Sequence, residues 1–378
     1  MIRRAAVLLL VAVAAASPGA AGGPRDVSAL LRPIREKHDV PGLVALTVGP
    51  AGIDAQGADG VRRRGGKEPI TVDDPMHLGS CTKAMTATLC AILVHEGKLR
   101  WDSSPADVLH GHKRTIDPGW KEATLEMLLR NRGGAPADLD ADGLWKKLVE
   151  HQGTPLEQRR TLSHGVLRRP PVHPPGTKYL YSNAGFALAG QMAEETVRRR
   201  WEYQMQERLF RPLEMRSAGF GTEGFLEARG HRADGTPVEP GPGADNPAAI
   251  GPAGSVHASL PDWAQFVSLH LRRGKDAPEA LAKIDFERLH TPPEGADYAM
   301  GWNAAFRPWA AAGRGAAASG KPNVLTHAGS NSLWYCTAWL APERGFAVLA
   351  ACNQGGDAGA KACDDAAAAL IRERAAVR

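Results

Sequence analysis

Cysteine is scarce in this chain. There are five in 378 residues, at Cys81, Cys90, Cys336, Cys352 and Cys363, an odd and thinly spread set that excludes a disulfide scaffold. Cys336 and Cys352 fall on successive apolar runs, so a cross-strand disulfide between them is one possibility, and two free thiols the other. Net charge is small too. The formal net charge is +5, Arg3 and Arg4 contribute to it, and no Lys/Arg run is interleaved with aromatics, which argues against a nucleic-acid partner. The short runs 62–64 and 198–200 read as solvated surface. After the first twenty or so residues there is no long apolar run, so no membrane span is expected. The chain lacks a Gly-x-Ser-x-Gly elbow, which disfavours an α/β-hydrolase triad. It also lacks a phosphate-binding glycine loop. His110 and His112 sit two apart with no evident carboxylate or cysteine partner, so neither a metal nor a cofactor is expected.

What is present is a length and an apolar content of 43% that suffice for one large domain or two. The start of the chain has the form of a processing signal. Arg3-Arg4 is a basic region, Ala5 to Ala16 an apolar one, and Ser17 to Ala21 a stretch of small residues suited to cleavage. Residues 1–21 therefore read as a signal peptide, with an uncleaved anchor as the competing reading. The mature protein is expected to be exported, periplasmic or secreted, with no membrane association after cleavage.

Beyond the leader, residues 27–38 read as a helix, and residues 42–48 and 52–57 as a hairpin. A helix is expected from Ser80 to Glu96, stopped by Gly97, with an apolar stripe through Met85, Leu89, Ile92 and Leu93. Further helices are expected over 123–129, 144–151, 184–210 and 260–273, and a long irregular loop over the Gly- and Pro-rich residues 234–254. Strands are expected over 298–306, 324–327, 332–340 and 345–352, an Ala/Gly turn over 310–320, and a terminal helix over 364–375. The first and last parts of the chain would share one sheet. The implied organisation is an α/β domain from 22–110 and 250–378, with a mainly helical insert over 111–249.

The stretch with chemistry in it is Ser80-Cys81-Thr82-Lys83. Ser-x-x-Lys on a helix puts the hydroxyl and the amine on one face. A serine at a helix N-terminus also sits where N–H groups and the dipole favour an alkoxide or an oxyanion. Acyl transfer needs a second proton-transfer group and groups to hold the acyl substrate. Downstream, Tyr181 offers a phenol and Asn183 an amide. His327-Ala328-Gly329-Ser330 lies on a strand, where glycine permits close approach of substrate to backbone. Taken singly, Tyr181 reads as a core aromatic, Asn183 as a turn residue and His327 as a satisfied strand histidine. Their order behind the Ser-Lys pair favours a site.

Ser-x-x-Lys, Tyr-x-Asn and His-x-Gly in this order resemble the serine β-lactamase/penicillin-binding superfamily. The Tyr-x-Asn form is similar to its branch of class C β-lactamases, DD-peptidases and family VIII esterases. Residues 76–99, 175–185, 210–215, 252–262 and 326–353 resemble the family's local contexts. The resemblance implies an α/β (α+β) fold, an antiparallel sheet flanked by helices plus a mainly helical domain, with the active site between them. It implies Ser80 as acylated nucleophile, Lys83 as the group assisting its deprotonation, and Tyr181 as general base and then acid. Asn183, His327, Gly329 and Ser330 would contact substrate, with the amides of Ser80 and Ser330 as oxyanion hole. Three departures stand out. His327 replaces the lysine usual in class C enzymes and is more like DD-peptidases, D-aminopeptidases and some esterases. Arg130-Asn131-Arg132-Gly133-Gly134 stands where Thr-His-Thr-Ser-Gly is usual. Thr196-Val197-Arg198 lacks the glycine usual after that threonine. The expected activity is serine hydrolysis of an ester or amide in a small molecule or peptide, without cofactor. The alternative is a non-catalytic relative that binds peptidoglycan or a partner in the same cleft. The oligomeric state is not legible.

Overall fold

The computed structural model describes residues 23–112, 115–222, 227–311 and 321–376. The expected signal peptide, residues 1–21, and most of the expected Ala/Gly turn lie outside the described residues, as does the side chain of His112.

The strands are β1 Arg25–Asp26, β2 Gly42–Gly49, β3 Gly52–Gly60, β4 Met76–His77, β5 Gly219–Phe220, β6 Gly230–His231, β7 Pro237–Val238, β8 Val256–Ala258, β9 Asn303–Ala305, β10 Val324–Ser330, β11 Tyr335–Ala341 and β12 Phe346–Cys352. The main sheet runs β1-β3-β2-β12-β11-β10-β9. It is antiparallel except for the β1–β3 pair. Its members come from both ends of the chain, and β2 and β12 join them at the centre. A small sheet, β4-β8-β5, lies beside the nucleophile turn, and β6 and β7 form a short hairpin. The helices used below are α1 Ser28–Lys37, α2 Thr82–His95, α3 Pro155–Leu167, α4 Asn183–Val197, α5 Leu260–Leu271 and α6 Gly356–Ala376. No helix among the described residues is long and apolar enough to cross a membrane.

The central strands are buried on both faces, so successive side chains go to two different cores. Val44, Leu46 and Val48 join the core around α2, whereas Leu43 and Ala45 join the one under α1 and α6. The same alternation decides the cysteine question. Cys336 opposes Ala351 and Cys352 opposes Tyr335, one register position apart, so the two side chains enter opposite cores. No Cys336–Cys352 disulfide forms, and all five thiols are free.

Helix α2 is buried on every side from Thr82 to Leu93, rather than along one stripe. A helix apolar all round belongs in the middle of a large core, and here it lies between the sheet and the helical part of the molecule. Gly97, at φ +69°, ends it as expected.

Several elements differ from expectation. Residues 184–210 are not one helix. Arg198 takes a left-handed conformation at the end of α4, and a new helical turn starts at Trp201. Glu194 explains the restart, because its carboxylate accepts the Trp201 N–H at 2.8 Å. Helix α3 has the N-terminal signature of Thr154, Pro155 and Glu157 as a capping box. α6 starts at Gly356, eight residues before its expected start. Of the expected strand 298–306 only Asn303–Ala305 pairs regularly, with Tyr298 bridging back to Asn303. The 234–254 stretch is irregular as expected, broken only by β7 and short helical turns.

Candidate active site

Ser80 sits in a 3-10 turn, Gly79–Cys81, that runs directly into α2. Two glycines let this turn meet the end of β10. Gly79 has φ +46°, and a Cβ on it would fall 2.3 Å from the Ser330 amide nitrogen. A Cβ on Gly329 would fall 2.0 Å from the Leu78 carbonyl oxygen. Only glycine allows backbone to approach backbone this closely. The result is that the Ser330 amide lies against the turn that carries the Ser80 amide.

Tyr181 and Asn183 flank the mouth of α4. Ser182 between them is the N-cap, and its hydroxyl accepts the Gly185 N–H at 3.1 Å. The Ser182 N–H in turn donates to Asn131 Oδ1 at 3.0 Å. The cap thus fixes the residues on either side. Tyr181 OH donates to Ser80 Oγ at 2.7 Å. Lys83 Nζ lies 3.1 Å from Ser80 Oγ, 2.8 Å from Asn183 Oδ1 and 2.8 Å from the Ala253 carbonyl oxygen. Ser80, Lys83, Tyr181 and Asn183 therefore form one connected group.

Burial governs the electrostatics. Lys83 is fully buried, and no carboxylate among the described residues pairs with it. Desolvation disfavours the charged amine and pushes it down to about 7. Burial pushes the Tyr181 phenol up, so it keeps its proton at neutral pH. The hydrogen count fits an uncharged amine. Two N–H groups serve Asn183 Oδ1 and the Ala253 carbonyl, which only accept, and the lone pair is left facing the Ser80 hydroxyl.

His327 is buried one position before Ala328 on β10. Its Nδ1 lies 2.6 Å from the Ala328 carbonyl oxygen and its Nε2 lies 3.2 Å from Tyr298 OH. A carbonyl can only accept, so in the neutral ring Nδ1 carries the hydrogen and Nε2 accepts from Tyr298. Both ring nitrogens are engaged inside the protein. Tyr298 also stands edge-on to Tyr181, with ring centroids 6.3 Å apart.

The two arginines of 130–134 are hydrogen-bonded to groups other than Ser80, Lys83, Tyr181 and Asn183. Arg130 binds Glu126 and the carbonyls of Thr291 and Arg288. Arg132 binds the Gly176 and Thr177 carbonyls. Both act as staples between segments. Among the described residues, no group of three or more His, Cys, Asp or Glu is placed to hold a metal ion.

Two participants carry no motif of their own. Ala253 acts through its carbonyl, and backbone acceptors have no residue-type signal. Tyr298 lies in a stretch that reads as an ordinary strand. The resemblance of residues 252–262 to a local context of the family and the long, Gly- and Pro-rich character of the 234–254 segment mark the neighbourhood of Ala253.

The family model described as Beta-lactamase matches residues 27–373. Penicillin-binding protein 4 of Amycolatopsis lactamdurans is 31% identical over 246 residues, 64% of this chain and 62% of that protein. Unguisins hydrolase ungD' of Aspergillus campestris is 28% identical over 255 residues, 62% of this chain and 46% of that protein. The chain thus spans less than two thirds of the length of either relative. Among solved structures, D-alanine carboxypeptidase AmpC from Burkholderia cenocepacia superposes with a TM-score of 0.70 over 90% of this chain and 97% of that one, at 19% identity. That likeness is one of fold. A family model matched from strand β3's neighbour α1 to the last turns of α6 leaves one conclusion: the chain belongs to the beta-lactamase family.

Proposed function

We propose that this protein is an exported hydrolase that forms an acyl-enzyme at Ser80 from an ester or amide. The observation that carries the reading is the state of Lys83. A buried amine without a carboxylate partner stands 3.1 Å from Ser80 Oγ, with its charged form disfavoured by burial. A lysine kept for solubility or ion pairing would have no reason to be there. Export rests on the leader motif at residues 3–21.

In this reading Lys83 takes the Ser80 proton as Oγ attacks the carbonyl carbon. The new oxyanion points at the Ser80 and Ser330 amides. The leaving group takes its proton from the Tyr181 phenol, and Lys83 returns a proton to the phenolate. A water then attacks the ester at Ser80, giving up its proton to the same pair. The carboxylate product leaves and Ser80 recovers its hydroxyl. The raised Tyr181 phenol supports its role as acid and leaves the first deprotonation to Lys83. Asn183 orients Lys83 through Oδ1 and offers its amide nitrogen to the substrate.

Intact mass of the protein tests the proposal, before and after brief exposure to an activated aryl ester and, separately, to a simple penicillin. The expected result is a gain of one acyl group with the ester, absent in Ser80→Ala. A gain with penicillin as well places β-lactams among the substrates. No gain with either reagent, in protein that still binds peptidoglycan fragments, overturns the hydrolase in favour of a binding-only relative.

A further inference from the structure

We infer that His77, Asp245 and Asn331 form a buried positioning network behind the oxyanion hole, which sets the separation of the Ser80 and Ser330 amides. This rests on the proposed acylation of Ser80 and adds residues that the motifs do not contain.

The network has an arm on each amide. His77 lies three residues before Ser80, on β4, and is fully buried. Its Nδ1 accepts the Gly79 N–H at 3.1 Å. That bond closes a turn from His77 to Gly79 and holds Gly79 in the left-handed conformation the Ser330 contact requires. An acceptor nitrogen bears no hydrogen, so the neutral ring carries its hydrogen on Nε2. Nε2 lies 2.8 Å from Asp245 Oδ1, close enough for the carboxylate's charge to hold that tautomer although the contact is off the line of a straight hydrogen bond. The ring also stacks on Trp334, with centroids 5.8 Å apart.

The second arm runs from the same carboxylate oxygen to the other wall. Asn331 follows Ser330, and its Nδ2 donates to Asp245 Oδ1 at 3.3 Å and to the Ala244 carbonyl at 3.2 Å. Asn331 Oδ1 accepts the N–H groups of Leu333 and Trp334 at 3.1 and 3.2 Å, which fixes the bend after β10. Asp245 Oδ1 accepts the Asn246 N–H as well, at 2.7 Å, so the carboxylate is tied to its own loop. One oxygen on the long 234–254 loop thus anchors both sides of the hole. His257 on β8 is the other titratable group beside His77, opposite it in register. Burial holds His257 down at about 4, so it adds no charge there near neutral pH.

Oxyanion donors act in the transition state, so their displacement lowers kcat and leaves KM nearly unchanged. A shift of about 1 Å in such a group costs on the order of 100-fold. His77→Leu removes the acceptor and keeps an apolar side chain. His77→Asn restores an acceptor, because an asparagine Oδ1 reaches the backbone N–H two residues on. The expected result is a fall in kcat of roughly 100-fold for His77→Leu, a KM within about threefold of the parent, and recovery to within about fivefold in His77→Asn. Asp245→Ala is expected to match His77→Leu, and the double variant to be no worse than either single one. His77→Leu at parental kcat, or His77→Asn as slow as His77→Leu, overturns the inference. A separate measurement stands apart from folding of the variants and from the acylation reading. The nitrogen-15 spectrum of histidine-labelled parent protein, with the His77 signals identified by their loss in His77→Asn, is expected to show Nδ1 without a hydrogen at neutral pH. A hydrogen on Nδ1 overturns the network even if Ser80 is acylated. Parent protein that is never acylated, with Nδ1 bare, indicts the hydrolase reading instead.

Discussion

Among the described residues two cations, Lys83 and Arg159, are fully buried, and they are held in opposite ways. Arg159, on α3, meets Glu194 through Nε and Nη2 at 3.0 and 2.6 Å, and Glu202 through Nη1 and Nη2, both at 2.9 Å. It also binds the Ala248 carbonyl at 3.0 Å. Two carboxylates face one guanidinium, and every oxygen has a partner. Lys83 meets only neutral oxygens. The difference teaches what each site is for. A fully compensated ion group fixes an arrangement of helices, here α3, α4 and the Ala248–Ile250 turn just before Ala253. A buried amine without a counter-charge releases its proton readily, as a base must.

The comparison is broken most severely by removing each cation in turn. Lys83→Met is expected to lower kcat/KM by roughly 10⁴- to 10⁶-fold, the range seen when a serine hydrolase loses a member of its proton-transfer set. Below about pH 7 its unfolding midpoint should stay at or above the parent's, because the cost of burying the charged amine is gone. Arg159→Met should do the reverse. It strands two carboxylates in the interior and is expected to cost about 3–5 kcal/mol in urea unfolding, with kcat of the folded protein nearly unchanged. A stable Arg159→Met with lost turnover, or an unfolded Lys83→Met, would erase the distinction.

The visibility of these two cations in the sequence differs as well. Lys83 was legible because two of its partners, Ser80 and Asn183, are side chains in ordered motifs that also contain Tyr181. Arg159 was not, because Glu194 and Glu202 are as common as any surface glutamates until α3 packs on α4. The central sheet was legible from continuous apolar runs such as residues 42–48 and 345–352, which fit strands buried on both faces. The break at Arg198 was not. Thr196, Val197 and three arginines do not forbid a helix, and the restart at Trp201 depends on the Glu194 carboxylate. The motif residue His327 was found, yet its partner Tyr298 was hidden in what reads as a plain strand. Its orientation depends on the turn between Tyr298 and Asn303, whose bridge brings the phenol under β10.

Titration sharpens the contrast further, since only one of the two cations changes charge in the accessible range. With Lys83 held at about 7, kcat/KM is expected to rise about tenfold per pH unit below 7 and to level off above it, because the unprotonated amine is the active form. Stability follows the same group. Below about 7 the folded and unfolded states both hold the proton, and the full cost of burying the charge applies. From about 7 up to the ordinary lysine range the unfolded state binds more protons, so stability rises with pH across that window. In Lys83→Met both slopes should vanish. A parent profile flat from pH 5 to 8 would remove Lys83 as the base.

The smallest expected effect separates the buried histidine from the buried lysine. His327 occupies the third-motif position, yet Tyr298 OH takes up its Nε2 and the Ala328 carbonyl its Nδ1. If its task is to order the wall under Ser330, the Tyr298 hydroxyl is the group that holds it. Tyr298→Phe keeps the ring against Tyr181 and removes one neutral hydrogen bond from a buried acceptor. The expected loss is about 1–3 kcal/mol of stability, with kcat/KM down by less than about tenfold, which is 1.4 kcal/mol of barrier. His327→Lys would instead place a charge opposite a phenol whose own ionisation burial opposes. A Tyr298→Phe variant with turnover reduced as far as in Lys83→Met would mean that the phenol, through His327, takes part in proton transfer. The division between a poised base and a braced wall would then have to be drawn elsewhere.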